Sequence, residues 1–282
     1  MSISIKNLNH IYDPESPFSV AALENVDLQV QDNEFLCIIG HTGSGKSTLV
    51  QHLNGILKPT SVDEMIIEGV DLTDKKPDYK LLRQKVGMVF QYPEYQLFEQ
   101  TVGLDIGFGP KNMGLTKEEI DERVLESAEI VGLDKSVLEM SPFELSGGQK
   151  RRAAIAGVLS MRPKVLVLDE PIAGLDPKGK NEILEVINNY HKKYNATIIM
   201  ISHNMDDIVE VADRVIVMHK GKKALDGTPN EVFSQFETIN SLGLELPIVS
   251  ELVKQLNEKG KNIPCDICRI DELVAFVSGV KK

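Results

Sequence analysis

Gly40-His41-Thr42-Gly43-Ser44-Gly45-Lys46-Ser47, followed by Thr48, fits the pattern G-x-x-x-x-G-K-[ST]. It stands directly after the apolar run Phe35–Ile39 and opens a stretch, Lys46–Leu53, that reads as a helix. A strand that ends in a Gly-rich turn and feeds a helix is the context in which this pattern cradles phosphate. A chance Gly-rich turn has no reason to bring both flanks with it. The glycines permit unusual backbone angles, so that N–H groups along the turn, those of His41, Thr42 and Ser44 included, point inward at phosphate oxygens. Lys46 offers a positive charge to the β- and γ-phosphates, and the Ser47 hydroxyl suits Mg²⁺. The following helix presents its positive dipole end to the anion. Cys37, inside the preceding run, reads as a small core residue.

Outward from this loop lie four more short Val- and Ile-rich runs: Val86–Phe90, Val165–Leu168, Thr197–Ile201 and Val215–Met218. None alternates with polar residues, as expected of strands buried on both faces of a parallel sheet. Helical patterns lie between them, and the alternation implies an α/β sandwich. The run at Val165 ends in Asp169-Glu170. Two acids at the end of a buried strand need partners. A metal ion would be that partner for Asp169, and Glu170 would polarise a water for attack on a terminal phosphate.

Residues 92–150 have a different texture. Thr116 with Glu119 forms a capping-box pattern, and Ile120, Val124, Ala128 and Val131 follow on one helical face before Gly132. This region reads as a mainly helical insert. After Gly227 the strand signals fade, leaving a small α-rich C-terminal domain over residues 228–282. Its apolar stripe, Ile248, Leu252 and Leu256 beside Val249 and Val253, is expected to serve contact between chains or to close a core of its own. A second short helix is expected from Asp271 to Val277. Cys265 and Cys268 form a C-x-x-C pair, but zinc would need two further ligands.

The net charge of −11 argues against a nucleic-acid partner, which demands excess Lys and Arg. No stretch approaches 18 uninterrupted apolar residues, so no membrane span is expected, and no secretory signal is visible.

Leu145-Ser146-Gly147-Gly148-Gln149, about 20 residues before the acidic strand end, resembles the signature motif of the ABC ATPases, and Lys150-Arg151-Arg152 follows in that family's style. Gln91 resembles the Q-loop glutamine, Ala173-Gly174-Leu175-Asp176 the D-loop, His203 the switch histidine, and Tyr12 the aromatic residue that stacks on adenine. Together with the phosphate loop these cover residues 3–227. The resemblance implies an ABC nucleotide-binding domain with the P-loop NTPase fold, here over 1–227. It implies two chains facing head to tail, with ATP and Mg²⁺ between the loop at Gly40 of one and Ser146–Gln149 of the other. Lys46, Glu170, His203 and Gln91 would carry the chemistry, Glu170 as general base. Ser47, Gln91 and Asp169 would face the metal.

Three further stretches resemble the ATPases of energy-coupling factor transporters: Gln91-Tyr92-Pro93-Glu94-Tyr95-Gln96-Leu97-Phe98, Gly107–Asn112, and Leu242-Gly243-Leu244-Glu245-Leu246-Pro247. His41 and His52-Leu53-Asn54-Gly55 point to the second of that family's paired ATPases. Membership implies a peripheral location on the cytoplasmic side of the cell membrane. It also implies a second ATPase subunit (a paralogue or another copy), a transmembrane coupling protein and a substrate-binding membrane protein, importing a vitamin or metal ion. The rival readings are an ABC ATPase working in solution, a non-hydrolysing regulator, and the ATPase of another transporter class. The sequence departs from the family at Val62, where glycine is common, and at Ile172, where threonine is common. Neither position touches the expected chemistry.

Overall fold

In the computed structural model, which describes residues 1–279, the strands are β1 (Ile3–Tyr12), β2 (Val20–Val30), β3 (Phe35–Ile39), β4 (Glu64–Ile67), β5 (Val70–Asp71), β6 (Val86–Val89), β7 (Val165–Asp169), β8 (Thr197–Ile201), β9 (Arg214–His219) and β10 (Lys222–Gly227). Six form one sheet in the order β10-β9-β3-β8-β7-β6, parallel except for β10. The other four form an antiparallel sheet in the order β2-β1-β4-β5. The five runs read as strands all lie in the larger sheet. β6 stops at Val89, one residue short of the expected Phe90, while β7 runs on through Asp169.

The lack of alternation in these runs has a direct cause. Phe35, Cys37, Ile39, Leu166, Leu168, Ile198 and Met200 enter one core, against the helical side of the molecule. Their neighbours Leu36, Ile38, Val165, Val167, Ile199 and Ile201 enter a second core, shared with the antiparallel sheet through Ile3, Ile5, Leu28 and Val30. Both faces of the parallel sheet are dry, so the strand interiors are apolar and polar residues such as Thr197, Asp169 and Arg214 fall at strand ends. Burial pushes the Cys37 thiol far up, which leaves it an inert core group.

The helices are α1 (Lys46–Leu53), α2 (Tyr79–Lys85), α3 (Val102–Met113), α4 (Lys117–Ile130), α5 (Gly147–Leu159), α6 (Pro177–Tyr194), α7 (Met205–Val211), α8 (Pro229–Phe233), α9 (Phe236–Ser241), α10 (Ile248–Glu258) and α11 (Ile270–Val277). α3, α4 and the start of α5, with short 3-10 turns between, make the helical insert. The Thr116–Glu119 capping box is formed, with the Thr116 N–H donating to Glu119 at 2.8 Å, and Gly132 ends the helix at φ 67°. Asp176 caps α6 by accepting from Gly179 N at 2.9 Å, with Pro177 in the first turn.

Beyond Gly227, α8 and α9 remain part of the main core through Val232, Phe233 and Ile239. Val253, Ile267 and Leu273 form a separate small cluster. The expected stripe on α10 is divided between two sides. Ser250 and Val253 point inward, while Ile248 and Leu252 are exposed. α11 begins at Ile270, one residue before the expected Asp271, and Cys268 is buried while Cys265 is exposed. Burial pushes the Cys268 thiol up to about 12. Residues 280–282 of the expected C-terminal domain lie outside the described residues.

Candidate nucleotide site

The site is built at the C-terminal ends of β3, β6, β7 and β8. β3 delivers the Gly40–Gly45 loop, and two of its glycines are demanded by space as well as angle. A Cβ on Gly40 (φ 149°) would lie 2.3 Å from the Met218 carbonyl oxygen, and one on Gly45 (φ 100°) would lie 2.5 Å from that of Ala22. Gly43 meets nothing, so it answers only to its φ of 79°. The Ser44 N–H donates to His41 O at 3.1 Å and closes the turn. His41, Thr42 and Gly43 are exposed along its outer side, while Lys46 and Thr48 are buried.

The Lys46 ammonium donates to Gly40 O at 2.6 Å and His41 O at 2.8 Å, so it lies folded over its own loop. Desolvation lowers its pKa, and the carboxylates of Glu170 and Asp169 oppose that effect. The Ser47 hydroxyl donates to Asp169 Oδ1 at 3.4 Å. Asp169 is itself buried, and desolvation raises its pKa against the Ser47 hydrogen bond. Ser47 and Asp169 offer only oxygen donors, and burial makes the Asp169 carboxylate a group that a cation would stabilise. That donor set fits Mg²⁺, which takes one or two protein oxygens and completes its shell with phosphate and water.

Glu170 follows at the tip of β7 with φ 52°. Its carboxylate is held from two sides: Gln91 Nε2 donates to Oε2 at 3.2 Å, and His203 Nε2 meets Oε1 at 2.8 Å. The parallel register pairs Asp169 with Ile201, so His203 reaches this group from the next strand. On the flank, Tyr12 O–H and Thr48 Oγ1 lie 3.2 Å apart, and the Tyr12 ring stands edge-on to His10 with a part of its surface exposed.

One chain therefore brings together Gly40–Thr48, Tyr12, Gln91, Asp169, Glu170 and His203. Among the described residues no hydrogen bond joins the Ser146–Gln149 turn to them. Its bonds are internal, with Gln149 N donating to Ser146 Oγ at 3.3 Å and Ser146 N to Gln149 Oε1 at 3.0 Å, forming the cap of α5. Gly147 and Gly148 are exposed, and a Cβ on either would meet nothing within 4 Å. Nothing among the described residues requires glycine there.

A support that the sequence reading missed is Arg151. Its buried guanidinium grips Glu94 through Nε at 3.0 Å and Nη2 at 3.1 Å and donates to Ala173 O at 2.8 Å. It thereby ties α5 to the Gln91–Phe98 segment and to the Ala173–Asp176 turn. The signal available was Glu94 opposite a run of three basic residues.

The sequence profile of the ABC transporter family matches residues 23–173. The chain is 53% identical to the energy-coupling factor transporter ATP-binding protein EcfA2 of Caldanaerobacter subterraneus subsp. tengcongensis, covering 100% of this chain and 99% of that one. It is 55% identical to EcfA2 of Clostridium perfringens, over 96% and 95% of the two chains. Among solved structures, cbiO1 of Clostridium perfringens, part of the ABC transporter complex cbiONQ, superposes with a TM-score of 0.75 at 38% identity, covering 90% of this chain and 98% of that one. The ATP-binding cassette MJ0796, as a dimer in a post-hydrolysis state with ADP and phosphate, gives 0.71 at 26% identity, over 80% and 98%.

Proposed function

Because this chain belongs to the ABC transporter family, among the ATP-binding proteins of energy-coupling factor transporters, we propose that it is the ATP-hydrolysing subunit that drives import of a vitamin or metal ion through a transmembrane coupling protein. The observation that carries the reading is the Glu170 carboxylate, fixed by Gln91 and His203 beside a complete phosphate loop.

The mechanism follows from the residues. Backbone N–H groups of the Gly40–Thr48 loop and the ammonium of Lys46 hold the β- and γ-phosphates, and the Tyr12 ring stacks on the base. Lys46 gives up its two carbonyl acceptors for stronger, charge-assisted ones on the phosphates. Glu170 accepts a proton from the attacking water at its carboxylate. His203 and Gln91 keep that carboxylate aimed, and His203 also reaches the γ-phosphate. Ser47, Asp169 and Gln91 would face Mg²⁺, which when bound neutralises charge building on the phosphate oxygens. Catalysis here is positioning and electrostatics.

Ser146, Gly147, Gly148 and Gln149 serve the loop of a second ATPase chain, a paralogue or another copy, packed head to tail. The unused glycine space at 147 and 148 supports this, since a phosphate approaching from outside is what would need it. Binding energy spent on the γ-phosphate closes the pair and is lost after hydrolysis, which makes ATP a ligand that distinguishes two states.

A groove of about 560 Å³ lies between the Gln96–Phe98 segment, α2, α3 and α5, with Phe98, Phe108, Leu97 and Met161 in its wall. Among the described residues no helix is long and apolar enough to cross a membrane. The groove is read as the seat of a helix of the coupling protein, placing this chain at the cytoplasmic face of the cell membrane. A separate substrate-binding membrane protein would choose the cargo. In this reading residues 1–227 are the ATPase domain, and residues 228–282 are a C-terminal part that packs on it through α8 and α9 and whose exposed Ile248 and Leu252 face the second ATPase chain.

The test is recovery of the tagged chain from detergent-solubilised native membranes. A paralogous ATPase and a small coupling membrane protein are expected with it, together with ATP turnover. Recovery from the soluble fraction alone, bound to ribosomes or DNA, would overturn the transport reading and leave the ATPase standing.

A further inference from the structure

The segment that leaves α9 touches two of the loops that face the nucleotide. Gly243 sits at φ 65°, and a Cβ there would lie 2.6 Å from His41 Nε2 and 3.2 Å from its Cε1. The His41 side chain of the phosphate loop therefore rests directly on the backbone of Gly243. Five residues later, the Ile248 N–H donates to Asp206 Oδ1 at 2.8 Å. Asp206 lies in the first turn of α7, three residues after His203. A further bond, from Arg269 Nε to Val209 O at 2.6 Å, fastens the start of α11 to the same helix.

Between its two contacts the segment is anchored, since Leu244 and Pro247 are buried and Leu242 and Leu246 pack on the main core. It cannot follow His41 or α7 independently. Packed elements of this kind shift between discrete positions and do not deform smoothly.

We propose that Leu242–Ile248 is a positioning strap for the ATP site, with Gly243 setting His41 and the Ile248–Asp206 bond setting the loop that carries His203. This rests on the reading that the Gly40–Thr48 loop holds the phosphates of ATP. The two contacts act on different steps. The His41 N–H is one of the loop donors assigned to phosphate, so displacing His41 carries that N–H out of line and weakens binding. α7 follows His203, whose Nε2 meets Glu170, so loosening α7 slows the chemical step. Gly243 and Asp206 touch no substrate and act only through these partners.

The experiment uses the full-length chain in its purified transporter complex, with a fluorescent ATP analogue for affinity and phosphate release for turnover. Gly243→Asn keeps a residue that tolerates positive φ, so it isolates the collision with His41. Its expected effect is about tenfold weaker analogue binding, shrinking to less than about twofold when the same change is made in a His41→Ala background. Asp206→Ala is expected to lower kcat about tenfold with affinity changed less than about twofold, and Asp206→Asn, which keeps the acceptor oxygen, to restore it. Equal loss from Gly243→Asn in both backgrounds, or normal kcat in Asp206→Ala, overturns the strap. Lys46→Ala is the control on the underlying reading. Retention of ATP binding in that variant would overturn the site assignment itself, whereas its loss beside unaffected Gly243 and Asp206 variants would overturn the strap alone.

Discussion

Glu170 and His203 meet at 2.8 Å across two neighbouring parallel strands, and Gln91 secures the other carboxylate oxygen at 3.2 Å. The carboxylate proposed as the general base is thus held from both sides. Glu170→Gln preserves shape and can still hydrogen-bond, but it has no carboxylate to take a proton. ATP binding is expected to persist while turnover falls by about a hundredfold or more. Equilibrium binding beside single-turnover hydrolysis decides it, and near-normal turnover would remove Glu170 from the mechanism.

Gly148 tests the cross-chain assignment. Its absent side chain would meet nothing within 4 Å in this chain, and it lies in the first turn of α5. Gly148→Ala is expected to leave the chain's own stability unchanged or raised by up to about 1 kcal/mol, since alanine is favoured over glycine in a helix. ATP-dependent association of two ATPase chains, followed by light scattering, is expected to weaken strongly. Unchanged association would mean that nothing approaches this turn closely.

Arg151 is a structural clamp and its loss is expected to register as instability. Its side chain is 4% exposed and that of Glu94 19%. Arg151→Ala leaves a largely buried carboxylate without its partner and the Ala173 carbonyl without its donor. Removing one side of such a pair costs about 3 kcal/mol. Urea unfolding of the full-length chain measures it, and a shift under about 1 kcal/mol would show that water or rearrangement replaces the guanidinium.

Glu126 gives the protein an acid-sensitive joint between α4 and α6. Burial alone would raise its pKa, but hydrogen bonds from Lys193, Tyr194 and Arg162 outweigh burial and bring it from the ordinary 4.5 to about 2. A depressed carboxylate contributes stability that is complete above its unfolded value and lost as pH falls through its folded one. Glu126→Gln is therefore expected to be less stable than wild type at pH 7, with the gap closing between about pH 4.5 and 2. A gap independent of pH in urea titrations would show that the charge is not what matters.

The phosphate loop and the acidic strand end were legible because their chemistry is local: each requirement falls on consecutive residues. The parallel strands were legible because burial on both faces keeps their interiors apolar and confines polar residues to the ends. The antiparallel sheet was not read. Ile3, Ile5 and Leu8 do point inward, but the pairing of β1 with β2 shifts register between Ile5 and Leu8 and again before His10, with Asn7 at φ 53°. These irregularities break the period of two on which a strand reading relies. β4 and β5, at 4 and 2 residues, are too short to show any period. On α10 the sequence carries apolar residues on two adjoining faces. The bond from Ile248 N to Asp206 and the small cluster around Val253 turn one of them inward. Those are long-range facts, as are the Arg151–Glu94 clamp and the rest of His41 on Gly243.

Glu170 stands at φ 52°, in a region that costs a glutamate on the order of 1 kcal/mol and costs glycine or asparagine little. With Glu170 as the proposed general base, durability and turnover pull this one position in opposite directions. A directed-evolution campaign that rewards heat resistance alone has an easy gain at residue 170, and it would collect well-folded, inert proteins. Any stabilisation programme for this ATPase needs hydrolysis as a second gate at every round.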